Sequence, residues 1–171
     1  MSCLGVLFAI DGQMEQKLLG IDRSEVVDFL QEEIEEVFFT EYPDMKAELD
    51  KSWDAIHRAF SNSTMTFEKK GDYPLNHVIL GASVVYGDGE GEDDYIITIN
   101  PPEIVKDVYA ALSSLTESGF KEKYFAIDPD EYGFPLTDED FGYSWECLES
   151  TLPFWKAAAE ANKYVVFSVD Q

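Results

Sequence analysis

Two apolar runs at the ends of the chain constrain its fold more than any other feature. Cys3-Leu-Gly-Val-Leu-Phe-Ala-Ile10 lies at one end and Tyr164-Val-Val-Phe-Ser-Val169 at the other. Each is short and apolar, and Asp11-Gly12 bounds the first, the pattern of a buried strand. Pairing the two within one sheet would tie down both termini. Tyr95-Ile-Ile-Thr-Ile-Asn100 is a further strand, stopped by Pro101-Pro102. His77–Leu80 and Ser83–Tyr86 flank Gly81 as short strands or one irregular element.

The intervening segments read as helices. Asp11 can cap a short helix that ends at Gly20. Asp22-Arg-Ser-Glu25 opens a second, with Val26, Leu30, Ile34 and Val37 or Phe38 on its apolar side and Glu32, Glu33, Glu35 and Glu36 on the other. Tyr42-Pro43-Asp44 starts a third, which carries Trp53, Ile56, His57 and Phe60 at i, i+3, i+4 and i+7. Pro102 to about Thr116 is a fourth, with Val105, Val108, Leu112 and Leu115 as its stripe. Phe120–Ile127 supplies one or two turns, and 141–162 is helical with a break near Pro153. The fold class is therefore α+β: several helices packed on a small mixed sheet formed partly by the N- and C-terminal strands. No internal linker divides residues 1–171, which read as one domain.

A chain of 171 residues can bury roughly 70% of its unfolded surface. Twelve Phe and nine Tyr supply the core. The charge is lopsided, with 35 acidic against 12 basic residues, a net charge of −23. Residues 71–105 hold seven acidic side chains and no Lys or Arg, and residues 124–155 hold eight and again none. Such a surface repels phosphate backbones and anionic lipids, so neither nucleic acid nor membrane is an expected partner. It favours a basic protein partner or serves solubility alone. Cys3 and Cys147 make no disulfide framework, and no apolar run reaches the length of a membrane span, so the expected setting is a reducing cytoplasm.

Several segments, taken in order, resemble the YfbM-like family of small bacterial domains of unknown function. They are Leu4–Ile10 with the short helix after it, Leu49-Asp-Lys-Ser-Trp-Asp-Ala-Ile-His57, Val78-Ile-Leu-Gly81, Pro101-Pro102-Glu103-Ile-Val105, and Phe154 through Phe167. Lys51, Trp53, Ile56 and His57 form the most specific block. The resemblance implies the α+β fold and a bacterial cytosolic setting. It brings no activity with it.

The candidate chemistry is sparse. His57 and His77 are the two histidines, so a histidine-dependent mechanism must use one of them, with Asp50 or Asp54 as an orienting carboxylate. Lys51, Trp53 and His57 are candidate binding residues, as are Asp88, Glu90, Glu92, Asp93 and Asp94 in an acidic glycine-rich loop. Asp128, Asp130, Gly133 and Glu139 fill four positions of an EF-hand loop, but Tyr132 and Pro135 fall where an oxygen ligand and a backbone donor belong. Gly142-Tyr-Ser-Trp-Glu146 lacks the closing glycine of a nucleophile elbow. No phosphate-binding glycine loop is present, and no cofactor is expected. The preferred reading is a non-enzymatic acidic module that binds a basic protein, such as a toxin or other effector. The alternatives are a small-molecule enzyme using His57 and a weak calcium site at Asp128–Glu139.

Overall fold

The computed structural model describes residues 3–87 and 95–171. The terminal runs form β1 (Gly5–Ile10) and β5 (Tyr164–Asp170), which pair from Gly5 with Val169 to Ile10 with Tyr164. With β2 (Lys46–Asp50), β3 (Ser83–Tyr86) and β4 (Tyr95–Asn100) they make a five-stranded sheet in the order β2-β1-β5-β4-β3. The α+β expectation holds, and every pairing is antiparallel where a mixed sheet was expected.

Helices cover both faces of the sheet, which is why β1 is apolar without alternation. Leu7 and Ala9 enter one core, whereas Val6, Phe8 and Ile10 enter the other. The second core is closed by α1 (Gly12–Gly20), α2 (Val26–Phe29), a π-helical stretch (Leu30–Glu35) and α3 (Glu36–Glu41). Asp11 caps α1, its carboxylate accepting from the Met14 amide at 2.8 Å. The π-helical stretch follows from the apolar spacing. Val26, Leu30, Ile34 and Phe38 lie four apart and all are buried. In a regular α-helix that stripe would wind about 120° round the axis. A wider i→i+5 turn cuts the drift and keeps the four against the sheet.

The same turn brings Glu35 inward, where it accepts from the Ser168 hydroxyl at 3.2 Å. Burial first, and then the charge of Asp170, push its carboxyl above the usual range, with the Ser168 bond opposing them. Glu35→Gln keeps an acceptor for Ser168 and removes the charge. It is therefore expected to raise the melting temperature slightly at pH 7, with the gain vanishing as pH falls and the native carboxyl takes up its proton. A melt series from pH 4 to 8 reads this directly, and a lower melting temperature at pH 7 would contradict it.

The first core is closed by α4 (Trp53–Phe60), α5 (Pro102–Ser114), α6 (Glu117–Phe125), α8 (Asp138–Ser150) and α9 (Leu152–Glu160), with α7 (Pro129–Tyr132) as a short turn before α8. The break expected near Pro153 separates α8 from α9. One helix was expected to run from Pro43 through His57, and this is corrected: Pro43–Met45 is a single 3-10 turn, Lys46–Asp50 is β2, and the helix begins at Trp53. Lys46-Ala-Glu-Leu49 suits a helix by propensity, but β1 would otherwise leave a row of unpaired backbone groups at its edge. Pairing with β1 satisfies them and buries Leu49 completely. Gly81 follows the irregular Val78–Leu80 turn, and a Cβ there would lie 2.8 Å from the Ile99 carbonyl carbon. Only glycine lets this turn lie against β4.

Candidate functional site

Helix α4 serves two surfaces at once. Its apolar stripe, Trp53, Ile56, His57 and Phe60, is buried as the spacing predicts. Its flank, Trp53, Asp54 and Arg58, forms one wall of a groove of about 890 Å³, with Lys51 just before the helix. That volume lies within the range of small-ligand sites. Trp53 belongs to both surfaces. Its indole N–H donates to the Cys3 carbonyl at 2.9 Å and its ring tilts against Phe167, which together hold it between core and groove. Asp54 and Arg58, four apart, form an ion pair at 2.5 Å, and an Arg58 Nη1 hydrogen bond to the Ser63 carbonyl fixes the guanidinium.

The facing wall comes from the segment between α7 and α8. Asp128 caps α7 by accepting from the Asp130 amide, and Gly133 ends that turn with a φ of 77°, a left-handed position that suits glycine. Phe134 and Pro135 then cross to Thr137, whose hydroxyl accepts from the Asp140 amide and starts α8. This path sets Tyr132, Phe134, Asp140 and Tyr143 along the groove. Phe134 is 63% exposed and Tyr143 37%. Asp140 Oδ2 accepts from the Tyr124 hydroxyl at 2.5 Å and the Tyr132 hydroxyl at 3.0 Å.

Protonation along the groove follows from burial and from the neighbouring carboxylates. Burial, reinforced by Asp140, raises Tyr124 and Tyr132 well above the ordinary phenol value. Burial and the Asp50 carboxylate push Tyr143 up to about 12. All three phenols therefore stay protonated donors near neutral pH. Burial also pushes the Cys147 thiol up, against hydrogen bonds from Ser52 and Tyr143, so it is not an activated nucleophile.

The sequence candidates fall in different places. Lys51, Trp53 and Asp54 meet at the groove, whereas His57 lies on the inner face of α4 and is 3% exposed. Its ring is pushed down to about 3, chiefly by burial and then by Lys69 and Arg58, and its Nε2 has no hydrogen-bond partner among the described residues. A ring in that position is neutral and closed off from solvent, which opposes a role as general base. His77 is buried too, with Nδ1 2.7 Å from Asn76 Oδ1 and its ring edge-on to Tyr73. Asp128 is spent on its cap and Glu139 sits in the first turn of α8, so Asp128, Asp130 and Glu139 do not form a coordinating loop. Among the described residues no group of three or more His, Cys, Asp or Glu converges on a cation position. Asp88, Glu90, Glu92, Asp93 and Asp94 lie outside the described residues.

Sequence reasoning missed Arg58, Tyr132, Phe134, Asp140 and Tyr143 as groove residues. The available signal is a phenylalanine set between Gly133 and Pro135 inside an acidic stretch, an aromatic with no periodic apolar neighbours to bury it. It missed Lys69 as well. The Lys69 ammonium donates to the carbonyls of Leu80, at 2.8 Å, and Gly81, and burial pulls its pKa down to about 8. Both histidines feel this charge.

The fold and groove define a small α+β domain with one sheet enclosed between two helical layers and an aromatic, phenol-lined groove beside α4. The chain belongs to the family described as "Domain of unknown function (DUF1877)", which it matches over residues 1–168. Its fold is similar to that of a protein of unknown function, YfbM from Escherichia coli, at 16% identity and a TM-score of 0.67, covering 97% of this chain and 99% of that one. At that identity the likeness is one of fold. A comparison with curated proteins gives no match. No helix among the described residues is long and apolar enough to cross a membrane.

Proposed function

We propose that this domain is a non-enzymatic binding module that holds a segment of a basic partner protein in the groove beside α4. The observation that carries this reading is the composition of one groove wall. Tyr132, Phe134, Asp140 and Tyr143 come from residues 124–155, a stretch with eight carboxylates and no Lys or Arg. Exposed rings within such a stretch combine the two features of a protein-recognition hot spot: aromatic area to desolvate and a field that steers the partner in. The net charge of −23 extends that field over the whole molecule. A basic toxin or other effector in the bacterial cytosol is a partner of this kind.

A capture experiment from host lysate tests it, with immobilised wild type beside Phe134→Ala at low and high salt. Phe134 is exposed, so its truncation is expected to change stability by about 0.5 kcal/mol or less. The expected result is a stoichiometric basic protein that high salt releases and Phe134→Ala fails to hold. A partner retained equally by Phe134→Ala, or no stoichiometric partner, counts against the groove.

A further inference from the structure

The groove's charges do not cancel in place. Asp54 is paired with Arg58 at 2.5 Å, so that carboxylate and that guanidinium neutralise one another. Asp140 differs. Its partners among the described residues are the hydroxyls of Tyr124 and Tyr132, both on Oδ2, together with the Thr137 capping bond made by its own amide. No Lys or Arg of the described residues pairs with it, and its other oxygen, Oδ1, accepts no hydrogen bond from them. The remaining basic lining residue, Lys51, is exposed and its ammonium has no partner there. A half-buried carboxylate held by two neutral phenols, in a cavity lined by Trp53, Tyr132 and Phe134, is a site for a cation. The acid supplies the charge and the free oxygen accepts, while the ring faces favour a cation over an anion.

We infer that the groove takes a single cationic head group, a guanidinium or ammonium on the partner segment, against the Asp140 carboxylate and within the aromatic lining. This rests on the groove being the binding face, and it names what the groove selects. The stem of an arginine or lysine side chain would pack along the aromatic wall while its head reaches Asp140. Lys51, exposed in the groove lining, opposes the incoming charge and sets a limit on affinity.

Titration calorimetry of the full chain with triarginine amide and with tricitrulline amide separates the possibilities. Citrulline keeps the shape of arginine and removes the charge. Triarginine is expected to bind at least about tenfold more tightly than tricitrulline, and Asp140→Asn to abolish that difference. Glu33→Gln removes the same charge from an exposed position on the other face of the sheet and is expected to change triarginine affinity less than twofold. Lys51→Gln is expected to strengthen binding at least twofold. Lys17→Gln, which removes the same charge from an exposed position on α1, is expected to change it less than twofold, and if Asp140→Asn does not fold, unchanged binding in Lys51→Gln or equal gains in the two lysine variants overturn the inference. Equal losses in Asp140→Asn and Glu33→Gln overturn it too, since only the overall charge would then be at work. Equal binding of both peptides, lost in Phe134→Ala, overturns the cation preference and leaves the groove reading standing. Triarginine binding that Phe134→Ala leaves untouched removes both, and so does no binding of either peptide at millimolar concentration.

Discussion

Trp155→Ala is expected to cost about 3–5 kcal/mol of folding stability, a large part of the roughly 5–15 kcal/mol that holds a domain together. Trp155 is fully buried in α9, edge-on to Phe154 at 5.7 Å, and it belongs to the core that joins α4, α5, α6, α8 and α9 to the sheet. Truncation leaves a cavity among elements already fixed by the sheet, so little collapse can relieve it. Trp155→Phe is the informative companion. The indole N–H is buried without a partner among the described residues. Removing that donor recovers part of the desolvation cost, about 1–3 kcal/mol, while the smaller ring gives up some packing. The expected order is a small loss for Phe and a large one for Ala, read from urea midpoints by circular dichroism. Equal losses would show that the indole N–H is satisfied in solution, for instance by a buried water.

The second large effect is a dependence on pH carried by His57. Burial pushes its folded pKa down to about 3 from an ordinary value near 6.5. The unfolded chain therefore takes up a proton that the folded ring refuses, so stability is complete above about pH 6.5 and falls below it. The slope is at most about 1.4 kcal/mol per pH unit until the folded ring itself titrates. His57→Leu removes the group. Between pH 7 and 4.5 the wild type is expected to lose about 2–3 kcal/mol relative to this variant. Carboxylates and His77 titrate in both proteins and cancel from the difference. Parallel stability curves for the two proteins over that range would mean that His57 reaches solvent, and would return it to the list of candidate bases.

These two residues mark how far the sequence could be read. The helical stripe at Trp53, Ile56, His57 and Phe60 was legible because a 3.6-residue period is local, and all four are buried as the stripe requires. Burial also resolves the ambiguity of His57, since a histidine on an apolar face lies with its neighbours. The same local reading failed at Lys46–Asp50. There the demand came from β1, a strand whose open edge no window of neighbouring residues reveals. It failed again at the groove. Tyr132 was weighed as one position of a cation loop, and Phe134 and Asp140 were given no role, when the cap at Asp128 and the left-handed turn at Gly133 set all three along the groove beside α4.

By itself, the sequence determined the helical and strand periods, the strand character of both ends, the α+β class and the acidic field, because each depends on neighbours in the chain or on simple composition. Tertiary structure alone decided that all the described strands pair antiparallel, and that a distant acidic segment closes a groove across the Asp54 and Arg58 flank of α4. The physical reason is that these features arise where elements far apart in sequence satisfy each other's edges and bury each other's faces. A local pattern records only that a face must be buried, whereas the packed chain decides what covers it.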